Sequence, residues 1–229
     1  MKDPDIQKQD KLKLLQLLSE IRRMGLETDE PIKTRYLNLS PDVGAQKHEV
    51  LIPLSEIDNA QHLKYLNPKH KVLVPLLLKY LYEFKSRNFK EFIIDALKVK
   101  GFTNATETLI IEFNRTNFGD SYKWSIGDAL SVIQDGKYED EYINIIKEKK
   151  HGTARQMVTI TLGKLKSEKA IPILISLLDD EDVNGHVLVA LGYYKKPMLI
   201  KYIEPFLTHK KKWIRNEAKS ALKKIERAS

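Results

Sequence analysis

The apolar and polar positions in the last third of the chain repeat with offsets of 29 and 31 residues. Leu162-Gly163 returns as Leu191-Gly192 and then as Leu222-Lys223. Within each period the apolar residues lie three or four positions apart, which is the spacing of a helix with one buried face. A unit of about 30 residues is too small to bury such a face alone, so neighbouring units must stack. The pattern therefore predicts an all-α fold of stacked helix pairs.

The repeat can be followed toward the N-terminus. Residues 74–81 resemble residues 171–178, and both runs have a proline in the second position. A proline is tolerated in the first turn of a helix because its missing N–H has no helical partner there. About five helix pairs fit between residue 74 and the C-terminus, one of them formed by 122–134 and 139–149. In each unit an apolar position such as Leu174 is predicted to be buried between neighbours.

The N-terminal part is less regular. The apolar spacing in 11–24 predicts a helix. Three prolines interrupt 27–67, which contains a short helical candidate at 54–66. We therefore divide the chain into residues 1–68, an N-terminal helix with an irregular or degenerate repeat, and residues 69–229, a repeat array with a basic C-terminal cap.

Composition limits the setting of the protein. The chain has no cysteine, which excludes disulfides, thiolate nucleophiles and cysteine-ligated metal sites. Residues 1–13 are polar and charged, and no run approaches the roughly 20 apolar residues of a membrane span. These features predict a cytoplasmic protein with no secretory signal and no membrane segment.

The net charge of +8 belongs to the C-terminal end. Residues 195–229 contain 11 Lys/Arg against 3 Asp/Glu, whereas the other 194 residues contain 28 of each sign. A basic end favours a protein partner with an acidic surface, because complementary charge speeds encounter. The neutral body argues against a nucleic-acid cradle along the whole chain.

Residues 163–183 carry the pattern most fully, with Pro172 in the first turn of a helix and an acidic turn at 179–182. This run resembles a HEAT repeat of the phycobilisome-lyase-like (PBS lyase HEAT-like) subtype. The resemblance implies a right-handed α-solenoid with the second helix of each pair on the concave side. It implies no activity, because the subtype includes lyases, hydroxylases and plain scaffolds.

A cation recurs at the start of one helix in successive units. Arg155 and Arg215 hold this position, Lys123 fills it one unit earlier, and Asn184 interrupts the series. In HEAT arrays such a cation commonly pairs with a turn aspartate and joins neighbouring units. The alternative is direct contact with a ligand. The carboxylates available in the following turn are Asp179, Asp180 and Asp182.

The predicted partner-binding residues lie at the basic end of the chain. Lysines beside an indole can bind phosphates and stack on a base or a cation. The same residues would alternatively form the polar cap that a solenoid needs at its end. Adjacent helical residues point about 100° apart, so one of Tyr193 and Tyr194 is expected to be exposed. The candidate residues are Tyr194, Lys195, Lys210, Lys211, Lys212, Trp213 and Arg215.

No motif predicts catalysis, a metal site or a cofactor. His48-Glu49 compares with the His-Glu motifs of the HEAT-fold di-iron hydroxylases, but that family repeats the dipeptide and this chain has it once. A nucleic-acid-binding protein similar to the HEAT-like DNA glycosylases is the main alternative. Its loosely matching residues are Trp124, Asp128 and Arg155. A lyase or hydroxylase accessory protein is the second alternative.

The sequence thus predicts a non-enzymatic protein-interaction scaffold. Its partner would bind the curved surface formed by helices near 139–149, 168–178 and 198–208. Small proteins of this kind resemble adaptors and toxin-neutralising immunity proteins.

Overall fold

Residues 4–24, 63 and 66–227 are described by this computed structural model, and they contain helices and turns but no strand. The predicted all-α class is therefore confirmed for these residues. The helical candidate at 54–66 and the His48-Glu49 dipeptide lie outside the fully described ranges. Contacts divide the chain after Ala96 into two compact units, unit 1 and unit 2.

Unit 1 packs an N-terminal helix, α1 (Pro4–Arg23), against α2 (Val74–Glu83). Asp10 of α1 is fully buried, and its carboxylate accepts hydrogen bonds from the backbone N–H groups of Lys85 and Ser86. These groups lie just before α3 (Arg87–Leu97), so the carboxylate satisfies donors near a helix N-terminus. The helix predicted at 11–24 is confirmed and begins earlier, at Pro4.

Unit 2 is built from helices joined by short turns. In chain order they are α4 (Thr106–Arg115), α5 (Asp120–Ile133), α6 (Glu139–Lys147), α7 (Arg155–Leu165), α8 (Ile171–Ser176), α9 (Asn184–Tyr194), α10 (Ile200–Ile203) and α11 (Lys212–Glu226). Helices α8 and α10 each follow a 3₁₀ turn and continue into another. Ile171 and Ile200, which the sequence repeat equates, each begin their helix.

Four helices of unit 2 form a continuous row. Helix α5 contacts α7, α7 contacts α9, and α9 contacts α11. We call these four helices the row. The other helices pack mainly on the row helix that follows them: α4 on α5, α6 on α7, α8 on α9 and α10 on α11. The pairing predicted for 122–134 with 139–149 is therefore shifted by one helix, because α6 packs mainly on α7.

Small residues let the row helices approach closely. A Cβ atom added to Gly163 would lie 2.5 Å from the Cα of Ala190, and one added to Gly192 would lie 3.0 Å from the Cα of Ala221. Both are backbone contacts between successive row helices. The recurring Leu-Gly dipeptide is thus a packing requirement, and it becomes Leu-Lys at Lys223, where the side chain is exposed.

Polar contacts in unit 2 also follow the sequence period. Lys169 binds Asp140 across 29 residues, and Lys196 binds Glu168 across 28. Leu174 is fully buried, as predicted, and so is Ile203 at the equivalent position of the next unit. Some polar residues about one period apart therefore contact each other, and apolar residues one period apart can be equally buried.

Candidate partner-binding surface

Tyr194 is a core residue, so its prediction as a partner-binding residue is wrong. Its side chain is 5% exposed, and its hydroxyl donates to the carbonyl oxygens of Ser167 at 2.7 Å and Leu162 at 3.3 Å. Burial raises the pKa of this hydroxyl. Tyr193 is the half-exposed member of the pair, and the Nζ of Lys224 lies 4.8 Å from its ring centroid.

Lys195 is exposed and ends α9 with a left-handed backbone, at φ 56°. Gln134 and Lys166 end α5 and α7 in the same conformation. A cation at the C-terminus of a helix offsets the partial negative charge of the unpaired carbonyls. This local role accounts for the position of Lys195 in the fold.

The residues of the basic cluster predicted at 210–215 make different contacts. Lys210 and Lys211 both form ion pairs with Glu181, at 3.1 and 3.2 Å. Arg215 donates through Nη1 to the carbonyl oxygens of His209 and Lys210, at 2.6 and 3.0 Å. These three side chains hold the turn before α11 to itself and to the preceding unit.

Trp213 joins α11 to α9. A Cβ atom added to Gly185 would lie within 2.0 Å of its indole ring, so the ring covers that glycine directly. The ring also makes an edge contact with His186, with centroids 6.0 Å apart. Its side chain is nevertheless 46% exposed. Of the predicted cluster, Lys212 is exposed and makes none of these local contacts, and Trp213 leaves nearly half of its side chain exposed.

Arg155 has the structural role predicted for the repeated cation. Its side chain is fully buried, and it donates to the carbonyl oxygens of Gly152 at 2.9 Å and Ile146 at 3.2 Å. Its Nη2 lies 3.0 Å from Oδ2 of Asp180 and 3.5 Å from Oδ2 of Asp182 as an ion pair. A guanidinium held in this way is not available to a ligand, which removes it from the glycosylase-like set.

The other members of the cation series have different neighbours. Lys123 places its Nζ 3.3 Å from Nδ1 of His151, and burial together with this lysine lowers the histidine pKa. Asn184 is buried, and its Oδ1 has no hydrogen-bond partner in the described part of the chain. The turn at 208–211 contains no carboxylate, so a cation at 184 would lack the kind of partner that Arg155 has.

One side of the row combines half-exposed apolar residues with polar contacts between helices. Equivalent positions on this side are set by the offsets of 32, 29 and 31 residues between successive row helices. We call this side the row face. Its residues are Trp124 and Asp128 of α5, Gln156, Met157, Ile160 and Lys164 of α7, Val189 and Tyr193 of α9, and Ser220 and Lys224 of α11.

The centre of the row face is apolar. Met157 and Ile160 of α7 are half-buried, as are Val189 and Tyr193 of α9. Because Ile160 and Val189 occupy equivalent positions on neighbouring helices, the four side chains share one region of the face.

Polar contacts between neighbouring helices border this centre. At the N-terminal end of the row, Trp124 Nε1 donates to Gln156 Oε1 at 3.1 Å, and Gln156 Nε2 donates to the carbonyl oxygen of Asp182 at 2.7 Å. Near the C-terminal ends of the same two helices, α5 and α7, Lys164 Nζ donates to the carbonyl oxygen of Ser131 at 2.9 Å. Burial lowers the pKa of Lys164. Each of these contacts joins a row helix to a neighbouring helix or turn. They therefore hold the residues of the row face in fixed positions relative to one another.

The outer sides of α6, α8 and α10 have a different character. Together with the turns beside them, they carry exposed charged side chains, among them Asp140, Glu168 and Lys201, and also half-exposed apolar residues such as Ile173 and Leu207. The sequence pattern predicted the partner on these helices. The row face differs from these outer sides because successive row helices contact one another directly and form a continuous surface.

No protein-family model matches the sequence, and no curated protein matches it. Within the described residues, no three acidic or histidine side chains are grouped so that they could hold a metal ion. None of the helices found there combines the length and apolarity needed to cross a bilayer.

Proposed function

We propose that the chain is a protein-interaction module of the adaptor or immunity type, built as a right-handed HEAT-like α-solenoid. Unit 2 supplies the solenoid, the row lines its concave side, and the row face binds a partner protein. The module acts by binding and carries out no chemistry of its own.

Three observations support a solenoid. Each row helix contacts the next, polar pairs join residues about one period apart, and glycines allow backbone contact between successive row helices. Helices α4, α6, α8 and α10, which we call the second layer, pack mainly on the row and less on each other. Helices that approach most closely lie on the shorter arc of a curved array, and for this reason we assign the row to the concave side.

The observation that carries the proposed function is the composition of the row face. Its apolar centre at Met157, Ile160, Val189 and Tyr193 is bordered by hydrogen-bonded polar groups. Protein interfaces have this anatomy, with an apolar centre, a polar rim and a few large side chains that supply most of the affinity. Tyr193 is the strongest candidate for such an anchor. The excess of positive charge in 195–229 favours an acidic partner.

The test compares two variants that carry the same change in charge. Ile160→Glu combined with Val189→Glu alters the row face. Ile173→Glu combined with Leu207→Glu alters half-exposed apolar residues of the second layer and its following turn. The full-length proteins are immobilised, partners are captured from the native host and identified by mass spectrometry, and the purified partner is then titrated by calorimetry.

We expect the row-face variant to bind the partner at least tenfold more weakly, because truncating a hot-spot residue costs about 2 kcal/mol or more and a tenfold loss corresponds to about 1.4 kcal/mol. The second-layer variant should bind within about twofold of wild type. Equal losses in the two variants, or a wild-type protein that retains no partner, would contradict the proposal.

A further inference from the structure

The exposed side of α11 is strongly basic. Lys212, Lys219, Lys223 and Arg227 are exposed along it, and we call these four residues the α11 stripe. Glu226 is the one exposed acid on the helix. Ile214, Ala218, Ala221 and Ile225 form the opposite, buried side. The stripe therefore lies on the side of α11 that faces away from the core of unit 2.

None of the stripe cations forms an ion pair with a carboxylate in the described ranges. Lys210 and Lys211 come immediately before the stripe in sequence, and both bind Glu181. The spacing within the stripe adds repulsion, since Lys219, Lys223 and Arg227 follow each other at i, i+4. A row of like charges offset only by Glu226 is unfavourable in the isolated helix and becomes favourable against a polyanion.

The stripe occupies the positions through which earlier helices of the row accept the next helix. By the 31-residue offset, Lys219 and Lys223 correspond to Leu188 and Gly192 of α9, which are buried. Gly192 is the residue that allows Ala221 to approach. A lysine at this position prevents another helix from packing as closely, so the stripe side chains extend into water.

We infer that the α11 stripe binds the phosphate backbone of a single-stranded nucleic acid. A four-residue step on a helix rises about 6 Å, so Lys219, Lys223 and Arg227 present a linear series of cations to successive phosphates, and Lys212 lies about 10 Å before them. Trp213, exposed at the beginning of α11, provides a ring on which an unpaired base can stack. An acidic protein is less suited to this side, because protein interfaces need an apolar centre and Trp213 is its one exposed large apolar residue.

This site is separate from the apolar centre of the row face, so its test does not depend on the proposed protein partner. Full-length protein is titrated into a fluorescein-labelled 20-nucleotide thymidine strand, and anisotropy is followed from 50 to 200 mM salt. The stripe variant is Lys212→Gln/Lys219→Gln/Lys223→Gln. The control is Lys147→Gln/Lys149→Gln/Lys201→Gln, which removes the same charge from exposed positions outside α11.

Four phosphate contacts predict a slope of log affinity against log salt near −3, or about a 50-fold loss of affinity between 50 and 200 mM. The control variant should keep this slope, and the stripe variant should fall to a slope of about −1 or lose binding. Trp213→Ala should weaken binding about tenfold without changing the slope.

Three results would overturn the inference. The first is no binding of the strand by wild type at 50 mM salt. The second is equal weakening in the stripe and control variants, which would show a general effect of net charge. The third is displacement of the strand by polyglutamate at the same charge concentration as by unlabelled strand, which would identify an acidic polypeptide as an equal ligand.

Discussion

Arg155→Ala is expected to lower the free energy of unfolding by about 3–5 kcal/mol. The substitution removes the cation that binds Asp180 and Asp182 and two hydrogen bonds to the carbonyl oxygens of Gly152 and Ile146. It also leaves a cavity where a fully buried side chain had been. The loss is large because Asp180, whose side chain is 14% exposed, and the two carbonyl oxygens lose a fully buried donor, whereas Asp182 is half-exposed and contributes less. Denaturant unfolding of the full-length protein measures it.

Arg215→Ala is the matched control, because Arg215 holds the corresponding position in the last unit but is half-exposed and binds carbonyls within its own turn. Its loss should cost about 1 kcal/mol. A double-mutant cycle of Arg155→Ala with Asp180→Ala should show a coupling of at least about 1 kcal/mol. Two outcomes would contradict the proposed role of Arg155 in joining neighbouring repeat units: additive effects of the two substitutions, or an Arg155→Ala protein as stable as the Arg215→Ala protein.

Gly163→Ala is expected to destabilise the protein by about 2–3 kcal/mol. Two effects compete at this position. Alanine favours the helix over glycine by about 1 kcal/mol. The added Cβ, however, would lie 2.5 Å from Cα and 2.7 Å from the carbonyl oxygen of Ala190. Since these are backbone atoms of the neighbouring helix, α7 and α9 must move apart, and the packing loss exceeds the gain in propensity.

Gly136→Ala is the control, because it is also a glycine-to-alanine substitution but lies where no backbone atom of another helix is close. A Cβ atom there would meet only the end of the Leu165 side chain, at 3.9 Å. Stability should change by less than about 0.5 kcal/mol. Thermal and denaturant unfolding of both variants check the pair. An unchanged or raised stability for Gly163→Ala would show that α7 and α9 do not approach as closely as described.

The sequence period predicted the helical class and the role of Arg155 well. Both depend on local spacing and on a charge that has one evident set of partners, the turn aspartates. The prolines in the first turn of two helices and the burial of Leu174 were predicted from the same periodicity. Each of these features depends on residues within one repeat unit or in the turn that follows it.

Features that depend on contacts between helices were harder to predict. Tyr194 was expected at the surface, but its hydroxyl finds acceptors at Leu162 and Ser167, and a sequence does not show which of two adjacent tyrosines has such acceptors. The contacts that join the row helices were also not predicted, because the predicted helix pairing was shifted by one helix. The available signal was the recurring glycine of Leu162-Gly163 and Leu191-Gly192, which marks the helices that approach most closely.

The proposed solenoid requires unit 2 to extend by one row helix per repeat, and distances between spin labels test this most directly. The chain has no cysteine, so Asp128→Cys paired with Val189→Cys, or with Ser220→Cys, takes only two labels. With neighbouring helix axes about 8–10 Å apart, the 128–189 distance should be about 20 Å and the 128–220 distance about 25–30 Å. A 128–220 distance equal to or shorter than the 128–189 distance would mean that the helices close into a bundle, and would contradict the stacked array and its row face.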